Sequence, residues 1–308
     1  MTSRSPRPAS LPRIGIDLGG TKIAGVLFDA ADAVVAEARR PSPRGDYAAT
    51  IEAIAETVGD LATNAATYAT IGIGMPGCIA PATGRVQNAN STWLNDKPLL
   101  ADLEARLRRP VRLANDANCF VLSEATDGAA VDAGVVFGVI IGTGCGGGIT
   151  VNGRLVDGPR AISGEWGHTP LPWMKADEFD RTQCWCGRKG CLETWVSGTG
   201  MARDHLQVTG IALPGEQIVS AAARGDAEAV ATLDRHADRL ARGLALICNI
   251  LDPHVIVLGG GLSNLPHLYD VLPSLMAPYI LTADASVSIR PPQWGDASGV
   301  RGAARLWP

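Results

Sequence analysis

The chain repeats one local pattern, in which an apolar strand runs into a glycine-rich turn and a second apolar strand follows. The pattern occurs in Ile14–Phe28 and again around residue 145. Glycine lets backbone amides approach an anion closely because no Cβ stands in the way, and successive N–H groups can cradle a phosphate. The repeat therefore predicts two halves of similar design, each offering a hairpin to one phosphate chain.

Strand and helix periodicities alternate along the rest of the chain. Apolar residues at helical spacing predict a helix from Tyr47 onward and a second, longer one at Leu233–Leu251. Short apolar runs predict strands at Ile71–Met75 and Val255–Leu258. This alternation predicts an α/β architecture, in which ligands gather at the carboxyl ends of the strands.

Three glycine-rich turns lie at such strand ends, the third being Gly259–Gly261. The second, Gly142–Gly148, also matches the dinucleotide-binding fingerprint G-x-G-x-x-G. That fingerprint should open a helix, but here Ile149–Val151 leads into an Asn152–Gly153 turn and another strand, so the match is rejected. No Walker sequence is present. One such turn alone would be typical of a ligand-free tight turn, whereas three together predict anion binding.

Four metal ligands lie within a short stretch of sequence, namely His168, Cys184, Cys186 and Cys191. Three thiolates and one imidazole complete a tetrahedral Zn²⁺ site and leave no open position for water, which predicts a structural zinc. Disulfides are the alternative. The opening segment MTSRSPRPASLPR contains no apolar core of a secretion signal, so we expect reduced thiols and a cytoplasmic location. Four further cysteines are expected to pack in the core: Cys78, Cys119, Cys145 and Cys248.

Composition limits the classes of partner. With 308 residues, 46% of them hydrophobic and 19% charged, the chain can bury a sizeable core. A formal net charge of -4 provides no broad basic face, which argues against nucleic acid as a partner. Residues 134–151 are uncharged but rich in glycine, so we expect no membrane span.

Seven motifs occur in the order typical of one protein family: IGIDLGGTK, GIGMPG, LANDANCF, IIGTGCGGG, GEWGH, CWCGRKGCLE and VIVLGGGLSN. Through them the chain resembles the ROK family of sugar kinases from Ile14 to Pro308. The segments NANSTWLN, GEWGHTPLPW and GDASGVRGAARLWP are most similar to bacterial fructokinases of the fructokinase/mannokinase type. The resemblance implies an actin/hexokinase-like (ribonuclease H-like) α/β fold, with two domains and a cleft that closes over sugar and ATP.

The activity that the resemblance implies is that of an ATP-dependent hexose kinase, converting D-fructose and ATP to fructose 6-phosphate and ADP. A glucokinase, a mannokinase or an N-acetylhexosamine kinase of the same family is the alternative. A non-catalytic, sugar-sensing repressor is disfavoured, since only thirteen residues precede the first strand and no DNA-binding domain fits there. The family also implies a homodimer.

The resemblance further implies that Asp116 is the general base. Asn115 and Asp116 directly precede the helical run Ala117–Ala125, so a helix cap is the alternative role, and the two roles can coexist. Six residues are expected to contact the sugar: Asn90, Asn115, Asp116, Glu165, His168 and Glu193. One ring nitrogen of His168 would bind zinc while the other bonds a sugar hydroxyl. Without the family match, Glu165 and Glu193 would be interpreted as surface charges.

The same resemblance assigns the nucleotide site. Asp17 is expected to face the Mg²⁺ of MgATP. The phosphates and the adenosine are expected to lie against the three turns, at Gly19, Gly20, Thr21 and Lys22, at Gly142, Thr143, Gly144, Gly146 and Gly147, and at Gly259, Gly260 and Gly261. Lys22 could instead be solvated.

Domain limits follow from the same motifs. We expect a disordered tail at residues 1–13, a small N-terminal α/β domain at 14–125 and a large C-terminal α/β domain at 126–308. The large domain would carry the zinc loop, residues 168–193. Its final helix, Gly299–Trp307, is expected to return to the N-terminal domain.

Overall fold

The strands expected on either side of each glycine turn are present in the computed structural model, which describes residues 11–65, 68–179 and 182–307. Most of the tail expected at residues 1–13 lies outside the described residues, and Arg13 already opens the first strand. None of the described helices is long and apolar enough to cross a membrane.

The strands are labelled in chain order. They are β1 (Arg13–Leu18), β2 (Lys22–Phe28), β3 (Val34–Pro41), β4 (Thr70–Met75), β5 (Cys78–Ile79), β6 (Val86–Gln87), β7 (Arg112–Asn115), β8 (Val135–Ile141), β9 (Cys145–Val151), β10 (Arg154–Leu155), β11 (Val255–Gly259) and β12 (Ile289–Arg290).

The α-helices are α1 (Tyr47–Ala62), α2 (Leu99–Leu107), α3 (Asp116–Asp127), α4 (Glu193–Val196), α5 (Gly198–Thr209), α6 (Gly215–Ala223), α7 (Ala227–Leu251), α8 (Pro266–Met276) and α9 (Ser298–Ala304). Short 3-10 helices lie at Thr92–Leu94, Trp166–His168, Ala176–Glu178, Gly261–Asn264, Ala277–Tyr279 and Gly295–Ala297. The predicted helices at Tyr47 and at Leu233–Leu251 are confirmed as α1 and α7.

The chain packs as two compact units. The first comprises the described residues up to Ser123, the segment Asp157–Ile162 and the described residues from Ala297 onward. The second comprises Glu124–Val156 and the described part of Ser163–Asp296. These units are groups of packed residues, and the domain limits expected from the sequence stay a prediction.

The two units contain sheets of the same topology. Among the described strands, the first unit has the order β3-β2-β1-β4-β7 and the second β10-β9-β8-β11-β12. In each, three antiparallel strands are extended by two parallel ones. The predicted similarity of the two halves is therefore confirmed, and in both sheets the glycine-rich turn joins the central strand to its antiparallel neighbour.

Glycines let helix α9 lie directly on the first sheet. A Cβ at Gly15 of β1 would meet the carbonyl oxygen of Val300, and one at Gly72 of β4 would meet that of Ala303. Both carbonyls belong to α9. Because no larger residue fits at either position, α9 packs against β1 and β4 at backbone contact distance.

The long helix α7 is anchored by a buried ion cluster centred on Glu178. One oxygen of this carboxylate, Oε1, accepts hydrogen bonds from Arg239 at 2.8 Å and from Arg242 at 2.6 Å. The other, Oε2, accepts from Arg242 and from the Lys175 amide, each at 2.8 Å. Glu178 is 2% exposed, so the cluster lies in the interior of the second unit. Burial alone would raise the pKa of Glu178, but the hydrogen bonds from Arg242 and Arg239 outweigh it and hold the pKa at about 2.

This cluster predicts an acid sensitivity of folding. Since the pKa is lower in the folded chain than its ordinary value of 4.5, the stabilisation is present above pH 4.5 and is lost as the pH falls towards 2. We expect a contribution of about 3 kcal/mol to the free energy of unfolding at neutral pH. Urea unfolding of wild type and Glu178→Gln from about pH 2 to about pH 7 measures this contribution.

In the Glu178→Gln protein the corresponding part of the pH dependence should vanish, because the group that titrates is gone. The exposed pair between Glu52 and Arg106 provides a matched control. Glu52→Gln should leave the free energy of unfolding almost unchanged, since exposed pairs contribute little. Equal slopes for wild type and Glu178→Gln would contradict the prediction.

Candidate active site and metal centre

The four predicted metal ligands come together in the second unit. One ligand atom from each of His168, Cys184, Cys186 and Cys191 lies within 4.8 Å of the other three. His168 Nδ1 is 3.6 Å from Cys184 Sγ, and the Sγ atoms of Cys186 and Cys191 are 3.6 Å apart. Sulfur atoms at the corners of a zinc tetrahedron are separated by about 3.7 Å, given a Zn–S bond near 2.3 Å. The donor set and its spacing therefore fit a tetrahedral Zn²⁺ ion.

Local turns bring the cysteines into position. Gly187 and Gly190 adopt φ angles of 87° and 73°, in the left-handed region that glycine enters without strain. The Cys184 amide donates to the Arg188 carbonyl at 2.8 Å, which closes the turn that contains Cys186. Pro170 and Cys191 form a β-bridge, which joins the loop to the chain that follows His168.

His168 presents its two ring nitrogens to different neighbours. Nδ1 faces the cysteine cluster, whereas Nε2 lies 4.0 Å from Oε2 of Glu165. That separation is too long for a direct hydrogen bond. The ring orientation is therefore compatible with the prediction that one nitrogen binds the metal and the other bonds a sugar hydroxyl.

Glu193 lies between the metal cluster and the second glycine turn. Its Oε2 accepts the Cys145 amide at 3.0 Å, and its Oε1 accepts the indole N–H of Trp185 at 2.7 Å. Oε1 also lies 3.9 Å from the Sγ atom of Cys184, whereas Oε2 keeps a second lone pair, so a sugar hydroxyl can still donate to Oε2. Trp185 was not among the predicted site residues. Its position between two metal-ligating cysteines is the signal in the sequence that could have identified it.

Hydrogen bonds from the first residues of α5 hold the second glycine turn in place. Gly198 donates its amide to the Gly142 carbonyl at 2.7 Å, and the hydroxyl of Thr199 donates to the Thr143 carbonyl at 2.9 Å. These bonds occupy carbonyls rather than amides. Within the described part of the chain, the Thr143 and Gly144 amides have no acceptor, which leaves them able to bind an anion.

Two predicted phosphate contacts of the segment Gly142–Gly148 lie inside strand β9. Gly146 pairs with Ile140 in the sheet, and Gly147 pairs with Val139. A Cβ at Gly147 would lie 2.8 Å from the Trp166 ring. The structure therefore gives Gly147 a packing reason for being glycine, independent of any phosphate.

The third turn lies beside the second. Gly260 has a φ of 80°, and a Cβ there would meet the backbone of Ile141 at the end of β8. The Ser263 hydroxyl donates to the Gly260 carbonyl at 2.7 Å. Because β8 and β11 are parallel neighbours, Gly259–Gly261 and the second turn share the carboxyl edge of one sheet.

In the first unit, the first glycine turn joins β1 to β2. Gly19 donates its amide to the Lys22 carbonyl at 3.0 Å, and a Cβ at Gly20 would lie 3.7 Å from the Ser91 hydroxyl. Asn90, the neighbour of Ser91, is exposed. Asp17, near the end of β1, lies close to the start of α9, where a Cβ at Gly299 would be 3.5 Å from its carboxylate carbon.

Asp116 is the first residue of α3 and follows directly on β7. Its Oδ1 accepts the Ala117 amide at 2.8 Å, and Asn115 Oδ1 accepts the same amide at 2.9 Å. The Asn115 side chain also donates to the Gly77 carbonyl at 3.1 Å. Both side chains therefore cap the helix. Burial raises the pKa of Asp116 above its ordinary value, although the hydrogen bonds from Ala117 and Asn115 oppose the rise.

Three carboxylates of the first unit act on the pKa of one buried thiol, that of Cys119. Burial raises the pKa of Cys119, and the charges of Asp17, Asp116 and Asp157 raise it further. Asp157 was not predicted, and its Oδ1 accepts from the side-chain Nδ2 of Asn118 at 3.4 Å. Its position just after a short strand is the signal that the sequence offers. Asp17 and Asp116 stand at the ends of β1 and β7, which point the same way in the sheet.

The expected sugar contacts divide between the two units. Asn90, Asn115 and Asp116 belong to the first unit, and Glu165, His168 and Glu193 belong to the second. The structure brings Asn115 and Asp116 together, and separately gathers His168 and Glu193 around the metal ligands.

Comparison with known proteins identifies the family to which this chain belongs. The family model described as "ROK family" matches residues 13–308. The N-acetyl-D-glucosamine kinase of Pectobacterium atrosepticum is 40% identical over 296 residues, which cover 95% of this chain and 97% of that protein. The ROK hexokinase of Thermus thermophilus has a TM-score of 0.84 at 30% identity, with 96% of this chain and 97% of that one covered.

A third protein extends the likeness to a ligand complex. The ROK family glucokinase of Streptomyces griseus, solved with glucose and AMPPNP, has a TM-score of 0.78 at 27% identity, covering 96% of this chain and 98% of that one. These matches confirm the expected actin/hexokinase-like α/β fold. The expected preference for fructose finds no support among them, and the alternative, an N-acetylhexosamine kinase, is better supported. The chain belongs to the ROK family, and its activity is that of an ATP-dependent sugar kinase.

Proposed function

We propose that this protein transfers the γ-phosphoryl group of ATP to a hydroxyl of N-acetyl-D-glucosamine. The observation that carries the proposal is the 40% identity to N-acetyl-D-glucosamine kinases over 95% of the chain. A kinase for glucose is the second candidate, because the glucokinase of Streptomyces griseus matches over nearly the whole chain.

We assign the role of general base to Asp116. Its partly buried carboxylate has a raised pKa, which brings its proton affinity nearer to that required for accepting a proton from a sugar hydroxyl. The hydrogen bond from Ala117 to Oδ1 fixes the carboxylate at the start of α3. Asn115, whose side chain is tied to the Gly77 carbonyl, is proposed to contact the same sugar.

The second group of sugar contacts is proposed to be Glu165, His168 and Glu193, with Asn90 as a further candidate. A carboxylate accepts hydrogen bonds from hydroxyls, and an imidazole that binds a metal through one nitrogen can donate the N–H of the other to a hydroxyl oxygen. The anchors on Glu193, from Cys145 and Trp185, support this role because they hold its carboxylate in one orientation.

For the nucleotide, we assign the phosphates to the first and second glycine turns and the adenosine to the third. The amides of Thr143 and Gly144, together with the Gly19–Lys22 turn, are the proposed phosphate donors. Asp17 is the proposed carboxylate for Mg²⁺, which when bound neutralises charge on the transferring phosphates.

We further propose that His168, Cys184, Cys186 and Cys191 hold a structural Zn²⁺ ion. The cluster geometry supports this, since all four ligand atoms lie within 4.8 Å of one another. Four protein ligands leave no position for water, so the ion would stabilise the loop rather than take part in phosphoryl transfer. The homodimer and the cytoplasmic location expected from the family resemblance stay predictions.

A survey of sugars tests the assignment of the substrate. ADP release is measured with MgATP and each of N-acetylglucosamine, N-acetylmannosamine, glucose, mannose and fructose. We expect kcat/KM to be highest for N-acetylglucosamine, by about 100-fold over fructose, because polar groups matched to one substrate are left unpaired by another. Asp116→Asn, assayed in parallel, controls for a contaminating kinase. A higher kcat/KM for any other sugar of the panel would overturn the assignment.

A further inference from the structure

Trp185 is an exposed aromatic residue within the metal-binding loop. It lies between Cys184 and Cys186, and 57% of its surface is exposed. Its ring stands edge-on to that of His168, with the centroids 4.9 Å apart and an interplanar angle of 86°. A side chain this exposed adds little to the core. The polar N–H group of its indole ring is therefore the part of the residue whose contacts suggest a function.

That N–H group donates to Oε1 of Glu193 at 2.7 Å. The other oxygen of the carboxylate, Oε2, accepts the Cys145 amide at 3.0 Å. Gly144 leaves room for this contact, because a Cβ there would lie 2.8 Å from Oε2. Glu193 is thus held at both oxygens, once by the metal loop and once by the second glycine turn.

We propose that Trp185 is a positioning residue, which holds the Glu193 carboxylate in the orientation that binds the sugar. The inference rests on the proposed sugar-binding role of Glu193. A glutamate side chain has several rotatable bonds, and ordering it opposes binding unless the free protein has already ordered it. A charge-assisted hydrogen bond from a ring packed on His168 provides that order before the sugar arrives.

Trp185→Phe isolates the hydrogen bond. Phenylalanine keeps an aromatic ring beside His168 but has no N–H group to donate. We expect the sugar Kd, measured by calorimetry, to rise about tenfold, the scale of one hydrogen bond to a charged group. Metal content per chain should not change, because the ligands are untouched. Trp173→Phe is the matched control, since Trp173 is 47% exposed and stacks on Tyr279 instead, and its Kd should equal that of wild type.

A double-mutant cycle separates positioning from a general effect on the loop. In a Glu193→Gln background the acceptor is neutral, and a neutral hydrogen bond has about half the strength, so Trp185→Phe should raise Kd only about threefold. Equal factors in both backgrounds, an unchanged Kd or a loss of bound metal in Trp185→Phe would each overturn the proposal. Titrations use the sugar with the highest kcat/KM in the survey, so a wrong substrate assignment would appear in the survey and leave this test intact.

Discussion

Asp116→Asn is expected to lower kcat about 10²- to 10⁴-fold, with little change in the KM for sugar. The amide cannot accept the proton of the attacking hydroxyl. Its oxygen can still accept the Ala117 amide at the position now occupied by Oδ1, so the start of α3 should keep its structure. Steady-state ADP release gives both constants, and circular dichroism checks the fold.

The pH dependence of the same pair of proteins adds an independent test. A base works only when deprotonated, and burial raises the pKa of Asp116. Wild-type kcat/KM should therefore fall as the pH drops through a value above the ordinary aspartate pKa of about 3.9. Asp116→Asn should lack that acid limb. Asp96→Asn, at a carboxylate that is 88% exposed, is the matched control and should behave as wild type. Full turnover by Asp116→Asn would disprove the assignment.

Removal of the proposed metal ligand Cys186 is expected to abolish sugar binding and to destabilise the second unit. Cys186→Ser replaces a thiolate with a hydroxyl that binds Zn²⁺ poorly, and structural zinc contributes on the order of 10 kcal/mol to the folding of small domains. Without the ion, the loop would no longer fix His168 and Trp185. Glu193 would then lose the hydrogen bond from Trp185 that orients its carboxylate. We expect bound zinc to fall from one ion per chain to none, the melting temperature to drop and the loop to become sensitive to protease.

Chelation of the wild-type protein should reproduce these losses, and added Zn²⁺ should reverse them. Cys248→Ser provides the matched control, because Cys248 lies in α7, is 8% exposed and is not among the clustered ligands. It should keep its metal and its sugar affinity. An active preparation of wild type that contains no metal would show that the ion is dispensable.

Much of the fold could be predicted because its signals are local. The spacing of apolar residues in α1 and α7 follows the helical repeat, so neighbours within two turns suffice to reveal the buried face. The strand, glycine turn and strand pattern occurred twice, and the two sheets have matching topology. The clustering of the candidate metal ligands was predictable for the same reason, since three of the four lie in one short loop and depend on spacing within that loop.

Other features depend on encounters between distant segments, and no local pattern encodes them. Gly72 must be glycine because Ala303 of α9 lies against it, and Gly147 because Trp166 does. From the sequence, Gly147 was expected to bind phosphate, and Gly72 was only one residue of the predicted strand Ile71–Met75. The substrate preference belongs to this class as well. The motifs suggested fructose, whereas comparison over the whole chain favours an N-acetylated sugar.

By itself, the sequence determined the α/β class, the repeated hairpins, the candidate metal ligands and the candidate base, since periodicity and spacing act over a few residues. Only the tertiary structure decided what each functional group touches. It showed that Glu193 is shared by Trp185 and Cys145, that Asp157 joins the carboxylates around Cys119, and that the amides of the second turn are only partly available. Hydrogen bonds and close packing of this kind form between residues far apart in the chain, and they exist only once the backbone has folded.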